Sequence, residues 1–149
     1  MQPFRQSQAD IRVSEVLELA AELTSMKPEF HDDIFGSAKD ASVDMKELVL
    51  SGHSFGGITA LLSAVKLGEA CKACLTMDPW LFAYWQDFKE GKLIVKCPVQ
   101  IISSEHFHPH NVKFFDSWGT LKAILNHATK QSHQENVVIN KIGHHIQVD

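Results

Sequence analysis

The chain has 149 residues, 44% apolar and 21% charged, the make-up of one ordinary soluble globular domain. Fourteen Lys and Arg against eighteen Asp and Glu leave a formal charge of −4, so nothing marks a nucleic-acid partner or an anionic membrane surface. No stretch approaches the roughly 20 apolar residues of a membrane span, and the opening residues lack a basic-then-apolar leader, so a cytoplasmic protein is expected.

In chain order, Ala9 to Met26 places Ile11, Val13, Val16, Leu17, Ala20, Leu23 and Thr24 at helical spacing. Arg12, Glu15, Glu18 and Glu22 take the opposite side, which predicts an amphipathic helix ended near Lys27-Pro28. Glu29 to Lys46 is polar and rich in aspartate, and reads as a long surface loop or a short helix. Glu47 to Gly52 is a short apolar strand, followed by an apolar helix over Ile58 to Lys66. The alternation continues with a strand at Ala73 to Met77, an aromatic segment from Trp80 to Phe88, and a strand at Val99 to Ser103. A helix from about Asn111 to Thr129 and a strand at Val137 to Ile142 complete it. Strands alternating with helices predict an α/β fold with a mostly parallel sheet, and the near-continuous apolar strands predict cover on both of its faces.

Cys71, Cys74 and Cys97 cannot make a closed disulfide framework. Cys71 and Cys74 match C-x-x-C, but the motif leads into an apolar run instead of opening a helix. Small half-buried strand residues with reduced thiols are expected.

Gly52-His53-Ser54-Phe55-Gly56-Gly57 lies between a predicted strand and a predicted helix. That is the context of a nucleophile elbow, where a serine occupies a sharp turn and glycines two before and two after it let the backbone fold tightly. The bland alternative is a glycine-rich turn whose serine caps the helix. A serine hydroxyl needs a base to take its proton and an acid to orient that base, and in this fold the order is Ser, then Asp or Glu, then His. Asp78 and Glu105 each follow a later strand, and His144 and His145 follow the last one. Order and spacing leave both acids and both histidines open.

The segments GHSFGG, MDPWLF, IISSEHF and GHHIQVD, with a helix of similar character from about Arg5, resemble the platelet-activating factor acetylhydrolase family. These are plasma and type II intracellular, calcium-independent phospholipases of α/β-hydrolase fold. The resemblance runs to Asp149 and implies Ser54 as nucleophile, Asp78 as acid and His144 as base. It matches Glu105 to a glutamate outside the triad. The backbone N–H of Phe55 would be one oxyanion donor. The aromatic stretch with Trp80, Leu81 and Phe82 would line a pocket for a lipid ester, with contact to a membrane or lipoprotein surface; its bland reading is a cap over the sheet. No cofactor or metal is implied. In the family a much longer segment precedes the elbow, with several strands and the second oxyanion donor. The expectation is therefore a C-terminal portion of one catalytic domain, a fragment or truncated product whose activity alone is in doubt, since losing one donor costs about 100–1000-fold.

His106, His108 and His110 alternate as metal ligands can, but Pro109 and polar neighbours indicate a surface loop and no metal. His127 and His133 are expected to be exposed, and His53 to pack beside its strand. Two other functions fit the same residues: a catalytically dead remnant acting as an interaction module, and a carboxylesterase or cutinase-like enzyme with Glu105 as acid.

Overall fold

The computed structural model describes residues 2–25, 35–38, 42–105, 107, 116–128 and 135–139. Helix α1 spans Gln2–Ser25 and begins earlier than its apolar periodicity indicated. Pro3 permits this, because the first-turn N–H that it lacks has no partner within a helix. Ala9, Val13 and Ala20 are buried, with Val16 and Leu17 half-buried between them. Ile11, expected on this face, is 57% exposed, since two residues along a helix turn a side chain roughly 200° away from the Ala9 direction.

Strand β1 (Val49–His53) feeds helix α2 (Phe55–Leu67), in which every residue from Gly57 to Ala64 is buried. Strand β2 (Ala73–Met77) lies where the apolar run placed it. It is followed by the short helix α3 (Trp85–Lys89), β3 (Val99–Ser104), α4 (Ser117–His127) and β4 (Glu135–Ile139). Residues 111–115 and 129 of the helix expected from about Asn111 to Thr129, and 140–142 of the last strand, lie outside the described residues, as do 29–34 and 39–41 of the loop and residue 26 of the first helix. His127 is exposed, as expected. No helix among the described residues is long and apolar enough to cross a membrane.

The four strands form one sheet in the order β1-β2-β3-β4, all parallel. Right-handed crossovers between successive neighbours put all the connecting helices on one face. The burial follows: Cys74, Thr76, Val99, Ile101 and Ser103 point into the core. They pack with Ile58, Leu61, Phe88 and Leu121, each side chain of that size contributing about 1.5–3 kcal/mol. The opposite face carries exposed Val49, His53, Met77 and Gln100, so the described residues cover one face where the apolar runs had predicted two. His53 is accordingly exposed instead of packed.

The segment after β2 is tied to α1 by two side-chain bonds. Gln6 Nε2 donates to the Ala83 carbonyl at 2.9 Å, and the Tyr84 hydroxyl donates its one proton to Asp10 Oδ1 at 2.6 Å, with the Gln6 carbonyl 3.3 Å away. Burial, reinforced by Asp10, pushes the Tyr84 hydroxyl pKa well up, so it remains a donor.

All three cysteines are free and buried, more deeply than the half-buried positions expected of them. The Cys97 thiol donates to the Cys71 sulfur at 3.7 Å. That bond holds Cys71 down, to about 7, against the effect of burial, and pushes Cys97 up. Burial, with Cys71 nearby, lifts Cys74 from 9.0 to about 12.

Two measurements follow from this core. Among the described residues, the Thr76 hydroxyl is fully buried without a hydrogen-bond partner. The near-isosteric Thr76→Val is expected to stabilise the fold by about 1 kcal/mol or more in urea unfolding, and a loss of stability would contradict the packing. Between 9.0 and about 12 the folded chain keeps a Cys74 proton that the unfolded chain has lost, so stability falls as pH rises through that window. The melting temperature of Cys74→Ala should fall less steeply there than that of the unmodified chain; equal slopes would refute the shift.

Candidate active site

Two non-glycine residues among those described have a left-handed backbone, Ser54 with φ 53 and Asp78 with φ 43. A side chain in that region costs on the order of 1–3 kcal/mol and persists only where its surroundings hold it. Both stand at the carboxyl end of a strand, Ser54 after β1 and Asp78 after β2. The register pairs His53 with Met77, which sets the two residues side by side.

Four backbone hydrogen bonds hold the Ser54 turn. Its N–H donates to the Met77 carbonyl at 2.9 Å, and its carbonyl accepts from Gly57 at 3.0 Å, Ile58 at 3.3 Å and Trp80 at 2.8 Å. The chain therefore reverses from strand to helix within one residue while staying bonded to the segment that carries Asp78. Ser54 makes no side-chain cap to α2, which sets aside the reading of it as a mere helix cap. The residue is half-buried. Phe55 opens α2, where a backbone N–H has no partner within the helix ladder.

The glycines divide the work differently from the motif. A Cβ on Gly52 would be driven into the Gly56 carbonyl, and one on Gly57 would come within 2.9 Å of Pro79 Cα. A Cβ on Gly56 would meet nothing within 4 Å. Gly52 and Gly57 thus allow strand, helix and the loop after Asp78 to touch, whereas Gly56, expected to be essential to the turn, has room for a side chain.

Asp78 is 5% exposed. Its N–H donates to the Ile102 carbonyl at 2.9 Å. Its carboxylate accepts from Ser104 twice, at Oδ1 from the backbone N–H and at Oδ2 from the hydroxyl, both at 2.7 Å. The sequence reading missed Ser104; its one signal was a pair of serines ending an otherwise apolar strand. Glu105, the other candidate acid, is half-exposed in the turn after β3. His144 and His145 lie outside the described residues, and so do His106, His108, His110 and His133.

The aromatic segment splits. The Trp80 ring lies 5.9 Å from Phe55 and 5.5 Å from Phe82, forming a half-buried aromatic ledge beside the elbow. Leu81 is 0% exposed within the core and offers no surface to a bound molecule. An open cleft of about 380 Å³ runs along β1 between α1 and α2, bordered by Arg12, Val16, Leu50, Phe55 and Thr59. Neither Ser54 nor Asp78 lines it. The sheet edge thus juxtaposes a hydroxyl on a strained turn, a buried carboxylate fixed in orientation, and an apolar ledge. With an imidazole between hydroxyl and carboxylate, such a set can perform acyl transfer.

A family model described as platelet-activating factor acetylhydrolase, isoform II, matches residues 5–149. Among solved structures, the enterobactin esterase FES of Shigella flexneri with 2,3-di-hydroxy-N-benzoyl-serine superposes at a TM-score of 0.50 and 14% identity, over 80% of this chain and 34% of that one. The same esterase with enterobactin gives 0.50 and 15%, over 66% of this chain and 27% of that one. At such identity the likeness shows the fold, an α/β-hydrolase-like parallel sheet. The chain spans about a third or less of the length of those structures.

The glycine geometry predicts an ordering. Gly52→Ala and Gly57→Ala should each cost about 1–3 kcal/mol or more, because backbone must move. Gly56→Ala, in the first turn of α2, should change stability by less than about 1 kcal/mol. Urea unfolding of the three variants checks this, and a Gly56→Ala as damaging as Gly52→Ala would refute it.

Proposed function

The chain belongs to the platelet-activating factor acetylhydrolase isoform II family, and from that premise we propose that it is a serine esterase acting on the short or oxidised sn-2 acyl ester of phospholipids like platelet-activating factor. Ser54 attacks the ester carbonyl, His144 takes the serine proton and passes it to the leaving lysophospholipid hydroxyl, and water then releases the acyl group from Ser54 by the reverse steps. Asp78 orients the imidazole and stabilises the imidazolium, and the Phe55 N–H stabilises the oxyanion. Trp80 and Phe82 receive the acyl chain.

The observation that carries this reading is the pairing of strained Ser54 with strained, buried Asp78 on neighbouring strand ends, bonded through the Ser54 carbonyl and the Trp80 N–H. It also favours Asp78 over Glu105. Asp78 is buried, held at both oxygens and joined to the elbow, whereas Glu105 stands one strand further away.

Hydrolysis of an sn-2 acetyl phospholipid tests the assignment. Ser54→Ala is expected to lower turnover by about 10⁶-fold and Asp78→Asn by about 10⁴-fold, while Glu105→Gln leaves it within a few-fold. Turnover surviving Ser54→Ala would overturn the proposal. Loss with Glu105→Gln but not with Asp78→Asn would transfer the acid to Glu105.

A further inference from the structure

We propose that Ser104 is a positioning residue for the Asp78 carboxylate, reaching across from the end of β3 to set the plane in which that carboxylate meets the base. This rests on the reading of Asp78 as the acid of a triad.

The geometry that points to it is specific. The register pairs Met77 with Ile102, so Ser104 stands one residue further along its strand than Asp78. From there it reaches back with two donors, its N–H to Oδ1 and its hydroxyl to Oδ2, each at 2.7 Å. An ionised carboxylate only accepts, so the direction of the hydroxyl bond is fixed: Ser104 donates. Two donors from one residue, one of them backbone, hold both oxygens and so remove the carboxylate's freedom to twist about its Cβ–Cγ bond. Asp78 is 5% and Ser104 7% exposed, and in such a weakly screened setting these bonds are strong. Each carboxylate oxygen has two lone pairs, so the Ser104 bonds do not exhaust what Asp78 can offer an imidazole.

Removing the hydroxyl has two consequences. The carboxylate gains freedom to turn, so the base spends less time aligned with Ser54. Negative charge once shared with the Ser104 hydroxyl is concentrated on the carboxylate, which favours the imidazolium and raises the pH at which the base becomes available. A residue that merely finished the strand would produce neither effect in the fraction of chain that folds.

The test is the rate of Ser54 phosphonylation by a fluorophosphonate probe, measured across the range in which an imidazole titrates, for the unmodified chain, Ser104→Ala and Ser104→Thr. Circular dichroism normalises each rate to folded protein. Ser104→Ala should react about tenfold more slowly or worse, with its acid limb displaced to higher pH, and Ser104→Thr, which keeps the hydroxyl, should restore both. Should Ser104→Ala not fold, Ser104→Cys, which fills the same site with a somewhat larger atom but is a weak donor, is read in its place against the same expectations. An unmoved limb in the folded variant, whatever the yield, overturns the proposal while leaving Ser54 reactivity and the esterase reading intact. An unmodified chain that folds but shows no labelling dependent on Ser54 overturns the esterase reading, and this one with it.

Discussion

The Ser54 carbonyl is the junction on which the described structure turns. It accepts from Gly57 and Ile58, which start helix α2, and from Trp80, which belongs to the loop beyond β2. One oxygen thus serves the helix and the neighbouring strand end at once. It does so with φ at Ser54 positive, an arrangement the backbone of a non-glycine residue resists. The contacts around the turn explain how it is sustained. Gly52 lies against the Gly56 carbonyl and Gly57 against Pro79, with no room for a Cβ at either glycine.

From that junction the constraint passes along the sheet. Parallel pairing brings the carboxyl ends of β1, β2 and β3 to one edge, the place where open α/β sheets bind their ligands. Ser54, Asp78 and Ser104 end or follow successive strands there, and each strand end is bonded to the next: Trp80 N–H to the Ser54 carbonyl, Asp78 N–H to the Ile102 carbonyl, and Ser104 to the Asp78 carboxylate. From outside, α1 holds the loop after Asp78 through the bonds from Gln6 to the Ala83 carbonyl and from Tyr84 to Asp10.

Much of this was legible in the residues. The run Ala73 to Met77 marked β2, and Gly52 and Gly56 on either side of Ser54, between an apolar strand and an apolar helix, marked the sharp turn, although of these two only Gly52 is required by contact. Non-local facts were hidden. Ser104 matters through the register between two strands, which no local pattern encodes. Gly57, which the motif does not single out, is required by contact with Pro79 from another element. Apolar strands read alike whether one or both faces are packed; among the described residues the connecting helices pack on one face, as crossovers of one hand between strands in chain order require. Leu81 looked like part of an aromatic surface because its neighbours are aromatic, yet it alone of Trp80, Leu81 and Phe82 turns fully into the core.

The central claim is that the strained hydroxyl at the sheet edge is the reacting group. Peptide mapping by mass spectrometry after reaction of the folded chain with a fluorophosphonate tests it most directly. The expected result is a single adduct, on the peptide that contains Ser54, which disappears when the chain is unfolded before reaction. An adduct on another serine, or none on the folded chain, would contradict it.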